Sequence, residues 1–271
     1  MRFSVFFCIC LLYAPFLFTP FSSLSAATTH NSALPSSCPQ LSQIDPKLIQ
    51  SGLVKWLPDG DTIHTAKGYK LRLLHINTPE INPTSAKVAE PYARQAKKRL
   101  SDLIGSSQKI YWFYDQRKKD RYKRQLAFVF NQQGLLLNAA LVAEGLAHTL
   151  VILPNQRYWS CINDSQNQAR QRSIGIWSNE YFSAEQASKL KVKRGSRLVK
   201  GKITKIVITK KYQWLILDGK LWVGIATKNR HYFKKYQAKF KQGQSVTLRG
   251  YIYQSYGKLR LKLSHPAMLL L

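Results

Sequence analysis

Acidic residues are scarce in this chain. Thirteen Asp and Glu stand against 42 Lys and Arg in 271 residues, a formal charge of +29 at pH 7. So large an excess repels itself unless a polyanion neutralises it, and it points to nucleic acid, anionic lipid or acidic glycans as partners. From residue 196 onward Asp218 is the one acid among seventeen Lys and Arg, so that part lacks the paired carboxylates of acid–base or metal chemistry. Cysteine is also sparse. Cys8, Cys10, Cys38 and Cys161 have neither the spacing nor the company of a zinc site, and no acid–base partner marks any of them as a nucleophile. A GxxxxGK[ST] phosphate loop is missing, which excludes P-loop nucleotide hydrolysis, and no Ser/His/Asp spacing suggests a serine hydrolase. Beyond the first 21 residues no apolar run is long enough to span a bilayer.

Apolar residues, by contrast, make up 45% of the chain, enough for one large or two small cores. The first residues form a targeting segment. Arg2 precedes an apolar run from Phe3 to Phe21, interrupted by Pro15 and Pro20, and small residues at Ser25 and Ala27 fit cleavage after Ala27. Residues 1–27 are therefore expected to be a signal peptide and the protein to be exported, periplasmic or secreted, with no stable membrane span after cleavage; an uncleaved anchor is the competing expectation. Cleavage removes Cys8 and Cys10. Cys38 and Cys161 remain, as a disulfide in an oxidising compartment or as two thiols.

Residues 28–50 read as a linker rich in Thr, Ser, Asn and Pro. Strand patterns then run over 53–57, 62–65, 69–76, 110–114 and 126–130, with helical periods over 91–104, 137–147 and 158–172. This order predicts a mostly β, α+β fold: a five-stranded OB-type barrel with three helices over residues 51–180. Residues 181–195 read as a polar, then basic, connector. Over 196–271 the order is strand-strand-strand-helix-strand-strand, with strands near 199–208, 213–217, 221–226, 245–254 and 258–263, and predicts a second, smaller OB-like barrel.

Four segments carry candidate chemistry: Asp59-Gly60-Asp61-Thr62; Arg72 through Thr78-Pro79-Glu80; Asp120-Arg121-Tyr122-Lys123-Arg124; and Gly175-Ile176-Trp177. Singly, each has a plain explanation as a turn, a loop start or a solvated basic face. In this order and spacing they resemble the thermonuclease (staphylococcal-nuclease-like) family over residues 52–178. The resemblance implies metal-dependent hydrolysis of phosphodiester bonds in DNA, RNA or both. It implies that Glu80 orients or deprotonates the attacking water. Arg72 and Arg124 would grip phosphate oxygens as bidentate forks, one of them aiding the leaving group. It implies a calcium site of Asp61, Asn77 and the Thr78 carbonyl, an oxygen-rich set suited to a hard cation, other divalent ions included.

Three departures matter. The family usually has Asp where this chain has Asn77, so one ligand charge is lost; weaker calcium binding, another metal preference, or no metal site at all are the readings left open. Lys123 replaces the usual Gly before Arg124. The later nucleotide-stacking tyrosines have no match in Leu150-Val151-Ile152-Leu153, although Tyr122 is kept. Tyr122, Lys123 and Arg121 are accordingly substrate-binding candidates. In the second unit so are Arg249, Tyr251 and Arg260, unless those tyrosines point into the barrel. The competing function is a catalytically impaired nucleic-acid- or polyanion-binding protein on the same fold. His64, His75 and His148 read as structural.

Overall fold

A computed structural model describes residues 34–81, 88–191 and 195–270. The expected signal peptide lies outside these residues. No described helix is long and apolar enough to cross a membrane.

The first barrel is built from β1 (Gln50–Trp56), β2 (Thr62–Thr65), β3 (Lys70–Leu73), β5 (Lys109–Lys119) and β6 (Gln125–Phe130), with the two-residue strand β4 (Ile76–Asn77) outside it. The five close in the order β1-β2-β3-β6-β5. All contacts are antiparallel except β3 with β6, where Leu71, Arg72 and Leu73 lie beside Gln125, Leu126 and Ala127. That parallel pair matters for the site, because its register sets Arg72 beside Leu126, two residues along the chain from Arg124.

Three α-helices surround this barrel among the described residues. Helix α1 (Ala93–Ile104) buries Ala93, Ala96, Leu100 and Ile104, the 3–4 spacing of one helical face. Helix α2 (Leu137–Ala143) is buried along its whole length, which explains its small and aliphatic sequence; its one polar residue, Asn138, accepts from the Val129 amide and donates to the Leu74 and Ala127 carbonyls. Helix α3 (Trp159–Gln171) carries Cys161, bonded to Cys38 across a sequence separation of 123 with the Cα atoms 4.9 Å apart. Closing so long a loop restricts the unfolded chain by an amount worth on the order of 4–5 kcal/mol. Residues 34–50 are thereby held on the barrel, with Ile44 buried in its core and Leu34, Leu41 and Ile49 packed against it.

The Gly175-Ile176-Trp177 motif has a steric cause. A Cβ at Gly175 would stand 2.1 Å from the Gly145 carbonyl oxygen, and one at Gly145 would stand 2.3 Å from that of Ile174. The two glycines let the backbones touch, and the Ile176 amide donates to the Gly145 carbonyl at 2.8 Å.

The second barrel has its own separate core, around Val199, Ile203, Leu215, Val223, Phe233, Leu248 and Leu261. Its strands are β9 (Gly195–Ile208), β10 (Tyr212–Leu217), β11 (Leu221–Ala226), β12 (Ser245–Ser255) and β13 (Lys258–Lys262). Strand β9 pairs with both β10 and β12, so the ring closes as β9-β10-β11-β13-β12, again with only the third and fifth strands parallel. Both barrels thus have the same strand order. The helical turn between the third and fourth strands, Thr227–Lys239, is a 3-10 helix. Part of the connecting segment joins this barrel: β8 (Glu185–Gln186) pairs in parallel with β9, and Ala187 and Leu190 enter the core. The short strand β7 (His148–Thr149) pairs with β4 near the seam between the barrels. There Trp159 meets His265 edge-on at 4.7 Å, and the Gln156 amide donates to the Tyr232 hydroxyl at 3.1 Å.

Candidate active site

The turn before β2 is shaped by Asp59, whose carboxylate accepts from the Asp61 amide at 3.0 Å. Gly60 lies so close to α1 that a Cβ there would be 2.7 Å from the Ala96 Cβ and 2.9 Å from the Thr78 Cγ2. The helix therefore presses the turn inward and buries the Asp61 carboxylate. That carboxylate receives the Thr78 amide at 2.8 Å, the Thr62 hydroxyl at 3.3 Å and the Arg72 guanidinium at 2.9 Å.

Arg72 is correspondingly buried. Its Nη1 donates to the carbonyls of Leu73 at 2.7 Å and Ile76 at 2.9 Å, and its Nη2 to the Asn77 side-chain oxygen at 3.0 Å as well as to Asp61. Asn77 in turn donates its amide to the Thr78 carbonyl at 3.2 Å. Asp61, Arg72, Asn77 and Thr78 thus form one continuous hydrogen-bonded cluster. Burial pushes the Asp61 carboxyl above its ordinary value; Arg72 opposes that shift and Asp59 adds to it. Glu80 stands at the exposed rim of the cluster. Its carboxyl is raised, first by partial desolvation and then by the nearby charges of Asp61 and Asp59. Its backbone amide donates to Glu90 at 2.8 Å. Among the described residues no three His, Cys, Asp or Glu side chains gather as a metal site by themselves. Every oxygen ligand implied by the resemblance is nevertheless in the cluster, and the mutual repulsion of Asp59, Asp61 and Glu80 is the kind of field a hard cation relieves.

Arg124 comes from the turn between β5 and β6, which Asp120 organises. One Asp120 oxygen accepts the amides of Tyr122 and Arg124, both at 2.9 Å, and the other accepts Arg124 Nε at 2.8 Å. Arg121 and Arg124 lie over the Tyr122 ring, 4.7 and 5.5 Å from its centroid. Lys123 sits in the turn with φ of 63°, the left-handed region that glycine adopts most readily, which gives a backbone reason for glycine at this place in the family pattern. Arg72, Arg124, Arg121, Tyr122 and Asn77 line one cavity of about 420 Å³, together with Arg117. Glu80 is not part of its lining.

His75 and His148 are both enclosed and held towards the neutral form. His75 is desolvated, its pKa lowered to about 4, and its Nε2 bonds the Arg157 carbonyl at 3.0 Å. Burial holds His148 well below its ordinary value, with Arg249 adding to the effect.

The remaining candidates lie on the second barrel. Strand β12 turns Val246, Leu248 and Ile252 inward and leaves Tyr251 58% exposed, so its tyrosines are on the outer face. A cleft of about 1020 Å³ joins this face to the first pocket: its lining includes Asn77 and Arg121 on one side and Arg249 and Tyr251 on the other. Arg249 is more enclosed than a surface contact would be. Its Nε and Nη2 are sealed and without hydrogen-bond partners among the described residues, and its guanidinium carbon is 5.8 Å from the Trp177 ring centroid. Desolvation lowers its pKa to about 10. Arg260 is absent from the lining of both cavities and packs on Trp214. Sequence reasoning passed over Arg117 and the Asn155 side chain that holds its backbone at 2.7 and 3.0 Å; the dense basic run was the signal for the first, and nothing local marked the second.

Residues 70–179 match the family model described as Staphylococcal nuclease homologue. The thermonuclease of Staphylococcus hyicus is 37% identical over 124 residues, 45% of this chain and 72% of that protein. The thermonuclease of Staphylococcus intermedius is 34% identical over 131 residues, covering 47% and 76%. Endonuclease YncB of Bacillus subtilis (strain 168) is 32% identical over 128 residues, covering 46% and 60%.

Proposed function

The chain belongs to the staphylococcal nuclease homologue family, and on that premise we propose that it is an exported, cation-dependent endonuclease that hydrolyses phosphodiester bonds of DNA, RNA or both. The observation that carries this reading is the convergence of Arg72 and Arg124 on one pocket beside the Asp61–Asn77–Thr78 cluster. Hydrolysis needs a base for water and positive charge around the phosphorus. Glu80, with its raised carboxyl, takes a proton from water as the oxygen attacks phosphorus. Arg124 donates to the equatorial oxygens as their charge grows, and Arg72 holds the carboxylate side of the pocket in place. The bond to the leaving sugar oxygen breaks, and that oxygen takes a proton from solvent or from a pocket arginine. A calcium ion, held by Asp61, Asn77 and the Thr78 carbonyl, would supply further neutralisation of the phosphate charge.

Export is supported by the targeting character of residues 1–27 and by the Cys38–Cys161 bond, which suits an oxidising compartment. The impaired-binder reading has one observation in its favour: the Arg72 guanidinium already donates to four protein acceptors. The deciding experiment is degradation of single- and double-stranded DNA and RNA in calcium, magnesium or EDTA. We expect calcium-stimulated cleavage, and turnover by Glu80→Gln lowered roughly 10²–10⁴-fold with binding little changed. Absence of metal-dependent cleavage at millimolar calcium would leave the binding reading in its place.

A further inference from the structure

The outer face of the second barrel carries aromatic rings and cations in alternating rows. In one row, Trp222 on β11, Arg260 on β13 and Tyr253 on β12 lie side by side. In the next, Trp214 on β10, Gly224 on β11 and Lys262 on β13 do the same. Gly224 makes this second row possible, because a Cβ there would be 2.6 Å from the Trp214 ring, which lies flat across it. The cations already sit on the rings. Lys258 is 3.8 Å from the Trp222 centroid, and Arg260 is 5.0 Å from that of Trp214 and 5.3 Å from that of Tyr256. Tyr256, in the β12–β13 turn, is 88% exposed.

No acid on this barrel balances these charges. From residue 196 onward Asp218 is the one acid, and it accepts from Gln186, Ser188 and Lys202 on another edge, while Glu185 on β8 pairs with Arg197 at 3.5 Å. The Nε atoms of Arg249 and Arg260 are buried without an acceptor among the described residues, so the cations this face offers a ligand are Lys258, Lys262 and the remaining nitrogens of Arg260. The face is also continuous with the catalytic pocket, because Arg249, Tyr251, Tyr253 and Lys262 line the cleft that Asn77 and Arg121 line from the other side. Flat rings recognise unpaired bases, whose faces a duplex hides, while regularly spaced cations recognise the phosphates between them.

We propose that this outer face is a binding track for single-stranded nucleic acid, beginning at the catalytic pocket and gripping the strand several nucleotides from the bond to be cut. The proposal rests on the nuclease reading for its direction. Four strands at about 4.8 Å spacing make a track roughly 15 Å wide, enough for a few of the 4–16 nucleotides that such barrels occupy.

The test separates binding from cleavage. Binding of fluorescein-labelled single strands of 4 and 16 nucleotides, and of a 16-base-pair duplex, is measured by anisotropy with the full-length Glu80→Gln protein in EDTA. The longer strand should bind at least tenfold tighter than the shorter and quench tryptophan emission. Trp214→Ala and Tyr256→Ala should each reduce the 16-mer to 4-mer affinity ratio by about five- to a hundredfold, the range of one lost base stack. Tyr256 is so exposed that its removal leaves the core untouched. The double variant Lys258→Ala/Lys262→Ala should flatten the slope of log affinity against log salt by about 1.4, near 0.7 per phosphate on a single strand. Length-independent binding, unchanged affinity ratios in Tyr256→Ala, or duplex binding as tight as single-strand binding overturns the track. Cleavage of the 16-mer by the unaltered protein in calcium is scored separately: its failure strikes the nuclease reading, not this one.

Discussion

The two pocket arginines differ in what surrounds them, and removing each should have a different consequence. Arg72 is buried, donates to four acceptors, and is the counter-charge of the buried Asp61 carboxylate. Arg72→Ala leaves three protein oxygens without a donor and Asp61 without its cation. Breaking a buried pair from one side costs about 3–5 kcal/mol. For a folded unit of this size, each kcal/mol lowers Tm by about 2–4 °C, so a loss near 10 °C is expected. Arg124 is half-buried, and its one ion pair among the described residues is the i,i+4 contact with Asp120. Pairs of that kind contribute about 0.3–1 kcal/mol, and the Asp120 bonds to the turn amides survive the substitution, so Arg124→Ala should cost at most a few degrees. Calorimetry gives the stabilities, and cleavage well below both transitions gives the activities, which should be severely reduced in both.

The pH dependence provides a second check. Burial already raises the Asp61 carboxyl, and losing Arg72 raises it further. A carboxyl whose folded pKa exceeds its unfolded value costs stability above that range and little below it. The Arg72→Ala deficit should therefore shrink as pH falls from 7 towards 5. Equal Tm losses in the two variants, or a deficit indifferent to pH, would refute the division of labour between a structural and a catalytic arginine.

Other expectations follow from the same geometry. Asn77→Asp restores a ligand charge beside Asp61 at the loss of one bond to Thr78, and should lower the calcium midpoint for both calorimetric binding and cleavage about tenfold or more; a midpoint that rises or stays put contradicts Asn77 as a ligand. Lys123→Gly should raise stability by up to about 1 kcal/mol by relieving the left-handed backbone at φ 63°, and a loss in thermal melts would show that the turn is not strained there. His75, with a folded pKa of about 4 against 6.5 for the free side chain, contributes stability that is present above pH 6.5. That contribution is lost as pH falls towards 4, roughly 3 kcal/mol at one unit per 1.36 kcal/mol, and His75→Asn should flatten this part of the pH–Tm curve.

Much of the chain was legible as sequence because the signals are local. Period-2 runs and turn residues marked both sets of barrel strands, and 3–4 spacing marked α1 through Ala96, Leu100 and Ile104. The site motifs were legible because a bidentate arginine and an oxygen-bearing loop are recognisable as chemistry. Long-range facts were not. Residues 28–50 read as a linker because no local pattern reveals that Ile44 finds a core to enter. Period 2 could not say which face of β12 is inside; that is settled by Val246, Leu248 and Ile252 meeting the other strands.

By itself, then, the sequence determined the charge, the two-barrel strand pattern and the residue types of a phosphate-handling pocket. Only the tertiary structure decided how they are spent. The parallel register of β3 with β6 sets Arg72 beside Leu126, so that Arg72 and Arg124 line one pocket, and the press of α1 on Gly60 buries Asp61 so that Arg72 becomes its counter-ion. Strand order in the second barrel carries Trp214, Trp222, Arg260 and Lys262, distant along the chain, into one face. The physical reason is that alternation is a property of neighbours in sequence, whereas register and burial depend on which other strand a residue meets.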